Sequence, residues 1–297
     1  DATVRERFHR EALAAARLKH PNIIAIYDFG ALANGSAYIV MELVEGRSLR
    51  EELRLLSAHA GQMRPERVAG LMRQVCAGIE AAHRGGIIHR DLKPDNIMIE
   101  ASPDGEERVL VLDFGIAKLK QPNGAVQCLT DEETIIGTPN YISPEQCTGL
   151  PADARSDVYS LGVILYEMLT GQVPFSSAST SAVLLSHLQQ APAPLTRFRL
   201  ELNPAIERVV LRALAKSPQH RFASAAMLAE SLERAVALPE QVAVEAPVEE
   251  ELEEQATRPR QLRVPVLAEP HEVTPHHLAA APLGPVTVTT PPATPVP

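Results

Sequence analysis

Five polar residues crowd one short stretch between apolar runs. In IIHRDLKPDNIMI, residues 87–99, His89, Arg90, Asp91, Lys93 and Asn96 stand at the spacing H-R-D-x-K-x-x-N. An acid and an amide five residues apart on one loop can converge on a single small volume. There Asp91 can orient or deprotonate a hydroxyl, and Asn96 can supply an oxygen ligand to magnesium. Lys93 adds positive charge where a transferring phosphate would sit. Taken alone, the stretch reads better as a solvated turn, because Asp, Asn, Lys and Pro94 are ordinary loop residues. A second acid tips the balance. Asp113 in VLVLDFGIAKL follows the apolar run 109–112 and precedes Phe114 and Gly115. A buried strand would deliver that carboxylate at its end. Between the two stretches lies SPDGEE, whose Asp104 and Gly105 read as a hairpin turn returning Asp113 to the side of the loop. Two magnesium-ligand candidates, Asn96 and Asp113, then face one cleft.

The elements that must hold these residues can be read from periodicity and punctuation. Ile87 and Ile88 on one side, and the apolar residues 97–99 on the other, are expected as strand segments flanking the loop. Before them, residues 65–84 place Val68, Leu71, Val75, Ile79 and Ala82 on one helical face and stop at Gly85 and Gly86. Met72 and Cys76 fall with that core. Ser48 and Glu51 form a capping box opening a shorter helix. Residues 3–18 suggest another helix, with Val4, Phe8, Ala12, Ala15 and Leu18 inward and Glu11 at the margin of the face. Apolar runs at 23–29 and 37–41 flank Asn34 and Gly35, a short-range hairpin signal. Residues 155–170, RSDVYSLGVILYEMLT, are apolar around most of the helix, so that helix is expected to be buried. Further helices are expected at about 180–190, 204–216 and 224–237.

Composition narrows the class. The chain has 297 residues, a hydrophobic share of 45% and a formal charge of −9, enough for a sizeable core and poorly suited to bulk nucleic acid or an anionic membrane surface. Cys76, Cys128 and Cys147 form no CxxC pair and suit three free thiols in a reducing compartment. No signal-peptide pattern and no membrane-length apolar run occurs, which points to a soluble, cytoplasmic chain, with a parent anchored in the membrane beyond residue 297 as the alternative. Beyond Leu238 the periodicity fades: twelve of the 25 prolines and an acidic cluster at 249–254 lie there. Residues 238–297 therefore read as a disordered tail.

The pair of motifs HRDLKPDN and DFG resembles the catalytic core of eukaryotic-type protein kinases, a family for which the roles of these parts are well described. The phrases HPNII, YIVMELVEG and GTPNYISPEQ are most similar to the bacterial Ser/Thr kinases of that type. The resemblance covers about residues 8–237. It implies an α+β, two-lobe fold, with a small β-rich lobe at 1–44 and a large helical lobe at 45–237. It implies transfer of the ATP γ-phosphate to Ser or Thr of protein substrates, with Mg²⁺ as the metal and Lys93 as the mark of Ser/Thr specificity. Asp91, Lys93 and Asn96 would then be catalytic, with Glu11 as the helix glutamate that pairs with a strand lysine. Met41 would be the gatekeeper, the backbone of Glu42 and Val44 would meet adenine, and Asn96 and Asp113 would hold the metal. Thr130 and Thr134 are the phosphoacceptor candidates, with Arg90 and Lys118 as the waiting positive charge. Thr138 and Asp157 would brace the catalytic loop, and Arg221 in SPQHRF would pair with Glu145 of the SPE motif. Self-association for autophosphorylation is a partner expectation of the same kind.

The departures are as informative. SPE stands where the family usually has APE. More seriously, no G-x-G occurs anywhere and no lysine precedes Lys19, so the phosphate-covering loop and the strand lysine implied by the resemblance are missing. Three readings compete: an enzyme represented by a fragment that is inactive by itself, a pseudokinase or scaffold binding module, and a small-molecule phosphotransferase. GTPNYISPE disfavours the last. Retention of Asp91, Asn96 and Asp113 favours the first over the second.

Overall fold

The computed structural model describes residues 17–32, 36–59, 61–101, 105–114 and 139–238. Contacts divide the chain into two compact units, Asp1–Ala243 and Val244–Pro297, and every described residue belongs to the first. The helix expected at 3–18 lies outside the described residues except for Arg17 and Leu18, which are not helical, and the turn at Asn34 and Gly35 and the tail beyond Leu238 also lie outside them.

A small sheet comes first. Strand β1 (Ile26–Ala31) pairs antiparallel with β2 (Ala37–Met41), from Ile26 opposite Met41 to Ala31 opposite Ala37, with an irregularity between Ile26 and Asp28. A second sheet follows in the order β3 (Arg47–Ser48), β4 (Ile97–Ala101), β5 (Glu107–Val111), all antiparallel. The β4–β5 hairpin carries Gly105 at φ 81° in its connection, a conformation that glycine adopts without steric penalty. Asn22 ties the chain before β1 to this hairpin, since its side-chain amide donates to the Val109 carbonyl and to Gln74.

The helical part is built around α4 (Ala154–Thr170), whose residues from Ser156 to Thr170 are all buried. Asp153 caps its first turn in a capping box, and Gly171 ends it at φ 79°, as helix ends favour. Helix α1 (Leu49–Ala58) begins with the Ser48–Glu51 capping box. Helix α2 (Pro65–Arg84) buries the expected face of Val68, Leu71, Val75, Ile79 and Ala82, with Met72 and Cys76 beside it. It packs against β5, α4 and the last helix. Burying each large apolar side chain contributes about 1.5–3 kcal/mol, so the α2–α4 contact makes a firm base for the segment between α2 and β4. Helices α3 (Pro144–Cys147), α5 (Thr180–Gln189), α6 (Pro204–Ala213) and α7 (Ala225–Ala237) complete the lobe. A small sheet-rich part and a larger helical part are thus present.

Two expectations need correction. Ile87 and Ile88 form no strand. The chain leaves α2 through Gly85 and Gly86, and the Ile87 amide still donates to the Ala82 carbonyl as part of the helix cap. The helix expected at 204–216 stops at Ala213. Pro218 disfavours helical geometry just beyond it, and Lys216 turns away to donate to the Ser186 and His187 carbonyls.

Candidate active site

The loop between α2 and β4 is fixed from below by one buried carboxylate. Asp157, near the start of α4 and 1% exposed, accepts from the His89 amide at 2.8 Å and the Arg90 amide at 2.9 Å. It also meets His83 Nε2 at 2.7 Å. From the other side, Gln146 of α3 donates its side-chain amide to the Arg90 carbonyl at 2.9 Å. These bonds hold Arg90 at φ 64°. Left-handed backbone at a residue with a Cβ costs about 1–2 kcal/mol, and charge-assisted hydrogen bonds contribute about 1.5–3 kcal/mol each. The two bonds to Asp157 therefore outweigh the strain and fix where the next residue, Asp91, stands.

His89 is fully buried and serves as a neutral spacer. Its Nδ1 accepts from the Asp91 amide at 3.3 Å, so its Nε2 carries the proton donated to the Leu112 carbonyl at 2.8 Å. Burial lowers its pKa, against the opposing influence of Asp157, the Leu112 carbonyl, Asp91 and Asp113. Its ring packs on Phe114 with centroids 4.8 Å apart. The HRD and DFG stretches are thus joined through one imidazole. Beyond β5, Asp113 lies exposed at φ 54°, a second left-handed residue in the same small region.

Asp91, Lys93 and Asn96 converge. Lys93 Nζ is 2.9 Å from Asp91 Oδ2, and Asn96 Nδ2 donates to the Asp91 carbonyl at 2.9 Å. A short 3₁₀ turn, Pro94–Asn96, sets Asn96 at the start of β4, where its carbonyl accepts from the Leu112 amide. Because a carbonyl only accepts, the Asn96 amide must turn its nitrogen to Asp91, which leaves its side-chain oxygen as the free acceptor for a cation. Among the described residues no group of three His, Cys, Asp or Glu side chains could hold a metal by itself. A donor set of one amide oxygen and one carboxylate suits magnesium shared with phosphate oxygens and waters.

Residues 1–232 match the protein kinase domain family. The chain belongs to that family. Serine/threonine-protein kinase pkn3 of Myxococcus xanthus is 45% identical over 221 residues, covering 74% of this chain and 40% of that protein. Serine/threonine-protein kinase PknB of Mycobacterium tuberculosis is 43% identical over 231 residues, covering 77% and 35%. The crystal structure of the Mycobacterium tuberculosis PknI kinase domain superposes with a TM-score of 0.62 at 28% identity, covering 79% of this chain and 80% of that one. The chain spans about two fifths or less of the length of these two curated relatives. Protein kinases in general use ATP with a divalent metal ion.

The segment after β2 leaves part of its main chain without a backbone partner among the described residues. The Glu42 amide is already used by the Ala25 carbonyl at 2.9 Å. Among the described residues, the Glu42 carbonyl and the Val44 amide and carbonyl have no backbone partner. Only part of the Glu42 backbone is therefore open to a ligand. Met41 ends β2 and is partly buried. The Glu42 side chain faces elsewhere, with Arg108 Nη1 at 3.1 Å.

The SPE motif is anchored deep in the helical lobe. Arg221, 3% exposed, donates to both oxygens of Glu145 at 2.8 and 2.9 Å, and also to the carbonyls of Arg155, Lys216 and Ala215. Burial works against the Glu145 charge, yet Arg221 and Ser156 outweigh it and hold the carboxyl below its ordinary range. Glu11, Lys118, Thr130, Thr134 and Thr138 lie outside the described residues, as do Gly115 and Cys128.

Some site residues escaped the sequence reading. Arg50 of α1 bridges Asp95 of the loop at 3.3 Å and Glu167 of α4 at 2.7 Å, and its other terminal nitrogen meets the Tyr141 hydroxyl. Burial opposes the Arg50 charge, but Tyr141 and Glu167 more than compensate and its pKa is raised. The Tyr141 hydroxyl, which also donates to Glu167, is pushed up by burial and by that carboxylate. Glu167 was the available signal, as a lone acid late in an otherwise apolar helix. His83, at the end of α2, is the other residue missed: nothing in its spacing linked it to Asp157, which it meets together with the His89 amide.

Proposed function

We propose that the protein of which this chain is part transfers the γ-phosphoryl group of Mg-ATP to serine or threonine hydroxyls of protein substrates. The observation that carries this reading is the loop geometry: Asp91, Lys93 and Asn96 meet on a backbone held in a left-handed conformation by a buried aspartate. In this reading Asp91 takes the hydroxyl proton as the hydroxyl oxygen attacks the γ-phosphorus, the bond to the β,γ-bridging oxygen breaks and ADP leaves, and Lys93 steadies Asp91 and the transferring phosphate charge. Asn96 and Asp113 hold magnesium, which neutralises charge on the phosphates. Adenine docks on the open main chain of Glu42 and Val44 behind Met41. Glu11 serves the lysine pairing typical of the family, and Thr138, Asp157, Glu145 and Arg221 support the site.

We further assign Thr130 and Thr134 as phosphoacceptors, read by Arg90 and Lys118, with a second copy of the protein as the phosphate donor. Asp131, Glu132 and Glu133 bring negative charge to the same stretch, so the dependence on phosphate is partial. No described helix is long and apolar enough to cross a membrane. Cys76 and Cys147 are free, buried thiols, in keeping with a cytoplasmic domain.

The deciding experiment is phosphotransfer by the protein as encoded in its gene, with the phosphorylated residue identified. Asp91→Asn is expected to lower the rate by about 10² to 10⁴, with phosphoserine or phosphothreonine as product. Near-normal turnover by the variant, or phosphotyrosine alone, would overturn the reading. For the 297-residue chain the expectation is weak Mg-ATP binding, because no lysine precedes Lys19. Tight binding would mean that another cation takes the phosphates.

A further inference from the structure

The helical lobe carries a groove lined by none of the residues of the proposed active site. It lies between α6 and α7 and has a volume of about 600 Å³. Val209, Ala237 and Leu238 contribute its accessible apolar surface above the buried Phe222 and Ala235, and Arg208, Arg212 and Arg234 line it with them. Arg208 and Arg212 are four residues apart on α6 and so share one face. Arg234 comes from α7, on the opposite wall. All three arginines are exposed, and among the described residues no aspartate or glutamate lines the groove.

In a chain of formal charge −9, three arginines left together are notable. Among the described residues no salt bridge to a carboxylate involves any of the three, so the groove gathers three cationic side chains without a counter-ion of its own. Two of the three are also pre-oriented. The Arg212 guanidinium lies 4.4 Å from the centroid of the Phe222 ring, which holds it by one face and leaves its donor edge free. Arg234 Nε donates to the Glu230 carbonyl of its own helix at 3.1 Å, leaving its two terminal nitrogens for a carboxylate.

An apolar floor with a cationic rim calls for a ligand that is both acidic and apolar. A ten-residue wall such as α6 is about 15 Å long, which suits two to three turns of a partner helix. A nucleic-acid backbone would leave the apolar surface unused. We propose that the α6–α7 groove docks an acidic amphipathic helix of a partner protein. The apolar face of that helix rests on Val209 and Leu238, and its carboxylates pair with Arg208, Arg212 and Arg234. This inference does not depend on the phosphotransfer reading.

The full chain would be titrated with a labelled helical peptide bearing leucines on one face and glutamates on its flanks, and with the same peptide carrying serine for leucine. Saturable binding is expected for the first, weaker by about tenfold or more in the Arg208→Glu/Arg234→Glu variant and weaker by a similar factor for the serine peptide. A melting curve checks that these exposed changes leave the fold intact, and Arg208→Gln serves as a milder second variant. Unchanged affinity in both variants would overturn the proposal. Equal binding of the serine peptide would also overturn it, by reducing the contact to unspecific charge attraction. Tighter, variant-sensitive binding of duplex DNA or of phosphatidylserine vesicles would replace the helix with another partner class.

Discussion

Asp157→Asn is the most direct test of how the loop is held. The aspartate accepts from two backbone amides at 2.8 and 2.9 Å and meets His83 Nε2 at 2.7 Å. Asparagine keeps one oxygen. If that oxygen stays with His89 and His83, the new NH₂ group faces the Arg90 amide, donor against donor. The loss is one charge-assisted bond, about 1.5–3 kcal/mol, plus a buried N–H left unsatisfied, about 1–3 kcal/mol. Removing a buried charge offsets part of this, because ion desolvation is unfavourable. With three donors around it, however, Asp157 is well compensated. A net destabilisation of about 3–5 kcal/mol follows, lowering Tm by on the order of 10 °C for a domain of this size. Freed from its bond, Arg90 should relax from φ 64° and carry Asp91 away from Lys93. Thermal melts give the magnitude, and amide hydrogen exchange gives the location: the Arg90 amide should lose protection before the core of α4 does. A melt within about 2 °C of the parent, with Arg90 protection intact, would refute the reasoning.

Three other outcomes follow from the same coordinates. Arg50→Met removes the cation shared by Asp95, Glu167 and Tyr141. It should destabilise by about 2–4 kcal/mol in urea unfolding, with Glu167→Gln in the same background recovering part of that loss. Gly46→Ala places a Cβ 2.3 Å from the Ile99 carbonyl oxygen, a backbone atom that cannot swing away, so the β3–β4 junction must shift at about 1–3 kcal/mol. A variant as stable as the parent would mean that the two segments are less tightly joined than described. Finally, burial lowers the pKa of His89, and it lowers that of His187 to about 4, with Lys216 adding to the effect. Below pH 6.5 the unfolded chain takes up protons that the folded one refuses. Stability should therefore fall as pH drops from about 6.5 toward 4, and His187→Gln should flatten that slope in pH-dependent denaturant melts.

What could be read from the sequence, and what could not, divides along a physical line. Local rules found α1 through its Ser48–Glu51 box, α2 through the spacing of Val68 to Ala82, and α4 through its unbroken apolar character, because each rule involves neighbours within a turn or two. The positions at Ile87 and Ile88 failed for the complementary reason. Two β-branched residues favour a strand, but a strand needs a partner, and here the helix cap claims the Ile87 amide. The loop itself was recognised by residue types and spacing, while its geometry depends on Asp157, 66 positions beyond Asp91, and on Gln146, which no spacing rule links to Arg90. Arg50 is the plainest case. It lies on a short helix, exposed to ordinary reading as a solvated charge, yet it bridges to an acid 117 residues away. Chemistry-bearing residues announce themselves because their types are unusual in combination. Residues that position them do so through folded-state contacts between common types, and for Arg90 those contacts hold a left-handed backbone that no propensity would choose. The strain stored at Arg90 is maintained by the helical lobe, so the site should loosen wherever that lobe is weakened, even when every residue of HRDLKPDN and DFG is left unchanged.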